Sequence, residues 1–282
     1  VAKPHVEGKP DLTAGREPAI IAKIEKGQSQ VIDLTGKHIF IAGGSRGIGA
    51  AAAVMAARAG AAVSINYLQG ATAAQGLVAR VEEAGGRAVA IQGDVAVDGD
   101  MERAIDEAAE RLGPLTGLVV SAGIFEGAPL QEMTVAFWDR VMAINVRGTF
   151  LATRAAVRHL RANGNGGSIV IYTSTAGQRG SDVFSAYATS KGAQILFMRS
   201  MAKELSADRI RVNCIAPAWT ETEMYFNTVA PQDRPAVAAG FPLGRVGLPE
   251  DVAGATCFLL SDLAGFITGS TLTVDGGMDM RG

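Results

Sequence analysis

His38-Ile39-Phe40-Ile41-Ala42-Gly43-Gly44-Ser45-Arg46-Gly47-Ile48-Gly49 runs from an apolar pentapeptide through a cluster of glycines into an alanine-rich segment ending at Ala59. A nearly continuous apolar run such as Ile39-Phe40-Ile41 suits a strand buried on both faces. Glycines let the backbone turn sharply and approach a ligand closely, and the helix that follows presents free N–H groups to a pyrophosphate. The spacing is Gly43-x-x-x-Gly47-x-Gly49 rather than G-x-G-x-x-G. Its position between a strand and a helix makes it a candidate phosphate-binding turn.

Working outward, the strand–helix alternation repeats. Strands are expected at Ala62–Asn66, Ala88–Gln92, Gly117–Ser121, Ser168–Tyr172, Arg211–Ile215 and Thr271–Val274. Helices are expected at Ile48–Ala59, Ala71–Ala84, Asp98–Arg111, Thr134–Ala162 and Ser185–Ser206. No helix is read between Val246 and Thr271. The pattern predicts an α/β fold, a doubly wound parallel sheet with right-handed crossovers and ligands beyond the carboxyl ends of the strands. Residues 1–33 differ: Pro4, Pro10 and Pro18 stand among mixed charges, with one brief apolar run, Ala19–Ile24. They read as an N-terminal extension, packed on the surface or partly mobile, on a single domain spanning residues 34–282.

The composition narrows the partners. The chain has 282 residues, and 26 Lys+Arg against 28 Asp+Glu leave a net charge of −2. A near-neutral chain argues against nucleic acid as the main partner, because phosphate neutralisation needs a basic excess. Cys214 and Cys257 cannot build a disulfide framework and read as buried thiols. His5, His38 and His159 lie far apart without ligand spacing, so no metal site is expected. The longest apolar stretch, Ile48–Ala57, is too short to span a membrane, and the polar start, Val1–Lys9, shows no signal peptide. A cytoplasmic protein is expected.

Cofactor choice is read near the end of the second strand. An enzyme that selects NAD places Asp or Glu there to hold the ribose 2′-hydroxyl. From Gly60 to Val81 there is no acid, while Arg46 in the turn is placed to face a 2′-phosphate, with Ser45 and Asn66 as neutral partners. NADPH is therefore expected over NADH. Farther along, Tyr187 and Lys191 are four residues apart and share one helical face. An ammonium beside a phenol favours the phenolate and lowers its pKa, making the tyrosine a usable acid/base.

Together, Gly43-x-x-x-Gly47-Ile48-Gly49, Tyr187-Ala-x-Ser-Lys191 and Ser174, thirteen residues before the tyrosine, resemble the short-chain dehydrogenase/reductases of the compact type. Asp94-Val95, Ala122-Gly123, Asn145-Val146, Asn213 before Ala216-Pro217, and Val274-Asp275-Gly276-Gly277 follow in the same order. The resemblance covers about residues 34–277 and implies a Rossmann-like domain. It implies that Tyr187 exchanges a proton with the substrate oxygen, that Ser174 holds that oxygen, and that Lys191 binds the nicotinamide ribose and depresses the tyrosine pKa. Asn145 is implied to position a relay water. Gly43, Ser45, Arg46, Gly47, Ile48, Gly49 and Asn66 are placed at the cofactor phosphates, Asp94 and Val95 at the adenine, and Ala122 and Gly123 at the adenosine and ribose. Pro217 and Thr222 are placed at the carboxamide end. The resemblance also implies a homotetramer, packed through residues 134–162, 185–206 and the part around 274–277.

Three positions depart from the family pattern: Ala42 where Thr commonly opens the turn, Ser121 where Asn precedes Ala-Gly, and Ala218 in place of Gly. The segment from Ala216 to Val246 reads as a partly helical lid carrying Trp219, Met224, Tyr225, Phe226 and Phe241, faced by Phe125, Val183 and Phe184. The expected substrate is a small, partly apolar ketone, aldehyde or alcohol. A β-ketoacyl carrier-protein or CoA reductase is an alternative, resting on the tail from Pro242 and on Arg154, Arg158 and Arg161; Asn163-Gly164-Asn165-Gly166 and Asp208 argue against it. From a different class, an NADP(H)-binding sensor without turnover would not need the Ser174–Tyr187–Lys191–Asn145 set, and nor would a methyltransferase on a similar sheet.

Overall fold

Seven parallel strands lie in the order β3-β2-β1-β4-β5-β6-β7 in a computed structural model, which describes residues 32–280. The strands are β1 His38–Ala42, β2 Ala62–Tyr67, β3 Arg87–Gln92, β4 Gly117–Val120, β5 Gly167–Tyr172, β6 Ile210–Pro217 and β7 Thr271–Val274. The main helices are α1 Gly47–Arg58, α2 Ala71–Glu83, α3 Asp100–Leu112, α4 Val135–Met142, α5 Gly148–Asn163 and, after a short α6 at Ala176–Arg179, α7 Ser185–Glu204. Beyond β6 come the short α8 Glu223–Thr228 and α9 Arg234–Ala239, then α10 Pro249–Leu260. This is the doubly wound, Rossmann-like sheet expected. The extension read at residues 1–33 lies outside the described residues apart from Ile32 and Asp33.

The period-2 alternation of the strands sorts two cores. Ile39, Ile41, Val119, Val170 and Tyr172 face one side with Ala53, Ala56, Val78, Val252 and Cys257, so α1, α2 and α10 cover it. Phe40, Leu118, Val120, Ile169 and Ile171 face the other, with Met101, Ile105, Ala152, Leu160 and Met198 of α3, α5 and α7. Apolar side chains thus point both ways from one strand, which is why β1, β4 and β5 read as unbroken apolar runs. Both cysteines are free and buried.

Besides the short α6, which the sequence reading does not include, two elements depart from it. Helix α10 was not expected, although Pro249-Glu250-Asp251 places proline and two acids in its first turn, a helix-start signal. The single helix expected at Thr134–Ala162 is interrupted by a π-helical turn, Ala143–Arg147, between α4 and α5. There the Gly148 N–H reaches back five residues to the Ala143 carbonyl. One inserted residue widens the turn, a local change that hydrophobic periodicity does not register.

The chain winds outward from β1 through β2 to β3, then returns to β4 on the other side of β1. The crevice between the carboxyl ends of β1 and β4 is where open sheets of this kind hold ligands.

Candidate active site

A cleft of about 820 Å³ opens at that crevice. It is lined by Gly43, Ser45, Arg46, Gly47, Ile48, Asn66, Asp94, Val95, Ala122, Gly123, Ser174, Tyr187, Lys191, Pro217 and Thr222. Among the residues expected at the site, only Gly49 and Asn145 do not line it, and both stand directly behind the wall.

The glycines have separate reasons to be small. A Cβ on Gly49 would lie 2.4 Å from the Gly43 carbonyl oxygen, and one on Gly43 would lie 2.7 Å from the Ala122 backbone. These two allow the turn to close on itself and on β4. Gly47 has a left-handed backbone (φ +55°), and a Cβ there would approach the Thr222 methyl at 3.3 Å. Arg46 precedes α1 in extended conformation, and no side chain caps the helix. The first N–H groups of α1 therefore face the cleft without a side-chain acceptor, which fits a pyrophosphate.

Asn66 braces this turn. It is buried, its Oδ1 accepts from the Gly43 N–H at 3.2 Å, and its Nδ2 donates to the carbonyls of Gly93 at 3.1 Å and Ile91 at 3.3 Å. Its amide is engaged with three backbone groups, so it supports the turn from behind. The Asp94 carboxylate accepts from the Ala96 N–H at 2.8 Å and shapes the turn after β3. Ala42 and Ser121 leave the junction of β1 and β4 to the backbone: the N–H groups of Ser121 and Ala122 both donate to the Ala42 carbonyl at 2.9 Å.

Tyr187, on the first turn of α7, is 8% exposed, and Lys191 is 5% exposed. Ser174, just past β5, hydrogen-bonds the Tyr187 phenol. The neighbouring Thr173 hydroxyl donates instead to the Lys191 carbonyl at 2.7 Å, which ties the end of β5 to α7. A Cβ on Gly177 would meet the Lys191 backbone at 2.6 Å, so that glycine lets α6 seat against α7.

The electrostatics differ from the sequence expectation. Burial pushes the Tyr187 phenol up to about 12, and the Ser174 hydrogen bond opposes this only in part. The Lys191 Nζ lies 5.7 Å from the centre of the Tyr187 ring and donates to the Tyr172 carbonyl at 2.8 Å. Desolvation lowers its own pKa to about 8. Loss of solvent outweighs the adjacent cation, so the phenol is held in its protonated form.

Asn145 sits in the π-turn and is completely buried. Its Oδ1 accepts from the Ile124 N–H at 2.9 Å, and its Nδ2 donates to the Ile124 carbonyl and the Ser190 hydroxyl, both at 3.0 Å. Its backbone carbonyl accepts from Thr149 Oγ1 at 2.7 Å and Gln194 Nε2 at 2.8 Å. These protein partners clamp the loop after β4 to α7. Gln194 escaped the sequence reading, although it shares a helical face with Tyr187 and Lys191 at the i, i+4, i+7 spacing. A Cβ on Gly123 would lie 3.2 Å from Asn145 Oδ1 and 3.4 Å from Lys191 Nζ. A side chain there would crowd both polar groups, so the glycine leaves them room at the cleft.

The outer wall is aromatic. The Phe125 ring stacks on Phe184 at 4.2 Å and meets Tyr187 edge-on at 4.7 Å and Trp219 at 5.3 Å. The other apolar side chains read as lid or wall have different places. Phe241 is buried with Tyr225, Val229 and Val246 in the lid's own small core. Phe226 stacks under Arg234, and Val183 is exposed with φ +55°. Sequence reasoning also missed two cations at the cleft, because their partners are distant in the chain: Arg140 pairs with Glu126, and Arg179 pairs with Asp279 at 3.6 Å.

Comparison with known proteins agrees with this geometry. The family model described as Enoyl-(Acyl carrier protein) reductase matches residues 42–279. The chain is 38% identical over 246 residues to L-rhamnose 1-dehydrogenase (NAD(P)(+)) from Sphingomonas sp., covering 87% of this chain and 97% of the relative. It is 37% identical over 248 residues to a 3-oxoacyl-(acyl-carrier-protein) reductase from Synechocystis sp., covering 88% and 98%. A crystal structure of a dehydrogenase/reductase from Sinorhizobium meliloti 1021 superposes with a TM-score of 0.83 at 42% identity, over 88% of this chain and 97% of that one. With the glycine turn, the Tyr187–Lys191 pair and the doubly wound sheet all in place, the chain belongs to the short-chain dehydrogenase/reductases, oxidoreductases that act on alcohol and ketone groups.

Proposed function

We propose that this chain is an NADP(H)-dependent oxidoreductase interconverting a ketone or aldehyde and the corresponding alcohol, with Tyr187 as its acid/base. The observation that carries the reading is the meeting of Ser174, Tyr187 and Lys191 at one cleft whose opposite end is the glycine turn. The nicotinamide supplies the hydride. Tyr187, protonated at neutral pH, gives its proton to the substrate oxygen, and the Ser174 hydroxyl holds the same oxygen. Lys191 faces the gap at Gly123, where ribose hydroxyls fit, and keeps a positive charge close to the phenol ring. Asn145 acts as a positioning residue that fixes Ile124 and Ser190 beside the pair.

NADP(H) is favoured over NAD(H) because Arg46 reaches the cleft from the turn and no carboxylate follows β2 before Glu82. The Ile124, Phe125, Trp219 and Met224 wall suits a partly apolar substrate. For the carrier-protein alternative, each candidate docking cation stands beside a carboxylate, which offsets the local positive charge that an acidic partner would need. Arg154 bonds Asp98 and Glu102, Arg158 bonds Asp106, and Arg161 bonds Asp208. In this reading residues 34–282 are the catalytic domain of a cytoplasmic homotetramer, and residues 1–33 are its extension.

The test is NADPH consumption with a panel of ketones, followed by absorbance for the native protein and Tyr187→Phe. Native turnover with a mutant at least ~100-fold slower is expected. Equal rates would overturn the mechanism, and tight NADPH binding without turnover on any carbonyl would favour a sensor.

A further inference from the structure

Arg46 has a partner across the cleft. Its guanidinium pairs with the Glu223 carboxylate at 3.2 Å, joining the phosphate turn to the first residue of α8, 177 positions later. Thr222, one residue before, is the residue whose methyl faces Gly47. The foot of the lid is therefore seated on the turn at two adjacent points, one steric and one ionic. Arg46 and Glu223 are 69% and 68% exposed, and both line the cleft. The other carboxylates lining it are engaged elsewhere: Glu126 is bonded to Arg140, and Asp94 holds the Ala96 N–H.

We infer that Glu223 is a second determinant of cofactor choice, competing with the 2′-phosphate of NADP(H) for Arg46 and being released from the turn when that phosphate binds. The inference rests on the reading of Arg46 as the 2′-phosphate partner. An exposed carboxylate–guanidinium contact is a weak interaction, whereas a phosphate offers more charge and a bidentate geometry, so the exchange runs toward the phosphate. A 2′-hydroxyl cannot displace a carboxylate. NAD(H) thus leaves the lid foot tethered, and NADP(H) frees it. Glu223 taxes the affinity for one cofactor and not for the other.

A double-mutant cycle tests this. Dissociation constants for NADP⁺ and NAD⁺ are measured by titration calorimetry on the full chain, for the native protein, Glu223→Gln, Arg46→Gln and the double variant. Glu223→Gln is expected to tighten NADP⁺ about two- to five-fold, the range that an exposed pair spans. NAD⁺ affinity stays the same, and the gain vanishes in the Arg46→Gln background. An equal gain for both cofactors, no gain, or a gain that persists without Arg46 overturns the inference. If Arg46→Gln loosens NADP⁺ selectively while Glu223→Gln does nothing, only the competition falls. If Arg46→Gln leaves NADP⁺ affinity unchanged, the reading of Arg46 as the phosphate partner falls with it. Both side chains are exposed, so neither substitution disturbs the core.

Discussion

Tyr187 carries its proton at neutral pH because burial outweighs the neighbouring ammonium, and under the proposed mechanism this makes turnover depend on pH. In the proposed mechanism alcohol oxidation needs the ionised phenol and a charged Lys191, so its kcat/KM should rise from about pH 7 and level off as Lys191 titrates near 8. Ketone reduction needs the protonated phenol and a charged Lys191, so it should hold level and then fall as Lys191 titrates near 8. Steady-state profiles in both directions check this; an oxidation plateau already at pH 7 would contradict it. His38 makes a pH-dependent contribution to stability instead. Its ring bonds the Gly113 carbonyl at 2.7 Å and Ser64 Oγ at 2.8 Å, and desolvation is the main cause lowering its pKa. The unfolded chain accepts a proton near the ordinary value of ~6.5 that the folded chain refuses. This contribution is complete above that value and declines as the pH falls from ~6.5 toward the lower folded pKa. His38→Asn should flatten the dependence of Tm on pH between 6.5 and 5.5; identical slopes in thermal melts would exclude His38 as the source.

At the scale of elements, close contacts distinguish glycines that look alike in the sequence. Gly49→Ala places a methyl group against the Gly43 carbonyl, at the start of α1. Overpacking of this kind costs about 1–3 kcal/mol, and here it also distorts the phosphate turn. A lower Tm together with lost cofactor binding is expected. Gly76, inside α2, has nothing within 4 Å of its missing Cβ. Gly76→Ala should raise stability by about 0.5–1 kcal/mol in denaturant melts, through the helix backbone alone. The contrast depends on neighbours that strand–helix alternation does not name. The same limit hid the π-turn: Asn145 was legible as a motif residue, but its bonds to Ile124, Ser190, Thr149 and Gln194 join three separate segments.

For the whole molecule, the proposed tetramer makes its own demand on the surface. Phe150 on α5 and Leu196 on α7 are 43% and 64% exposed. Apolar side chains on two helices expected to meet symmetry mates suit burial between copies. Small-angle scattering should return four chain masses, and Phe150→Glu should shift the protein to smaller species; a native monomer at micromolar concentration would refute the assembly. The ion pairs of Arg154, Arg158 and Arg161 with Asp98, Glu102, Asp106 and Asp208 link α5 to its neighbours.

The sequence alone determined the sheet, its doubly wound class and a set of candidate residues that the fold brings to one cleft. Apolar runs, glycine turns and short motifs are local, and strand–helix alternation leaves few topologies once crossovers are right-handed. Tyr187, Lys191, Ser174 and the glycine turn were legible because each depends on spacing within one segment. Tertiary structure decided how those groups behave. The sign of the Tyr187 shift depends on desolvation by elements far apart in the chain. The bracing role of Asn66 depends on β3, and the pairing of Arg46 with Glu223 spans most of the domain. Burial and charge pairing are sums over neighbours in space, so they exist only once the chain has folded.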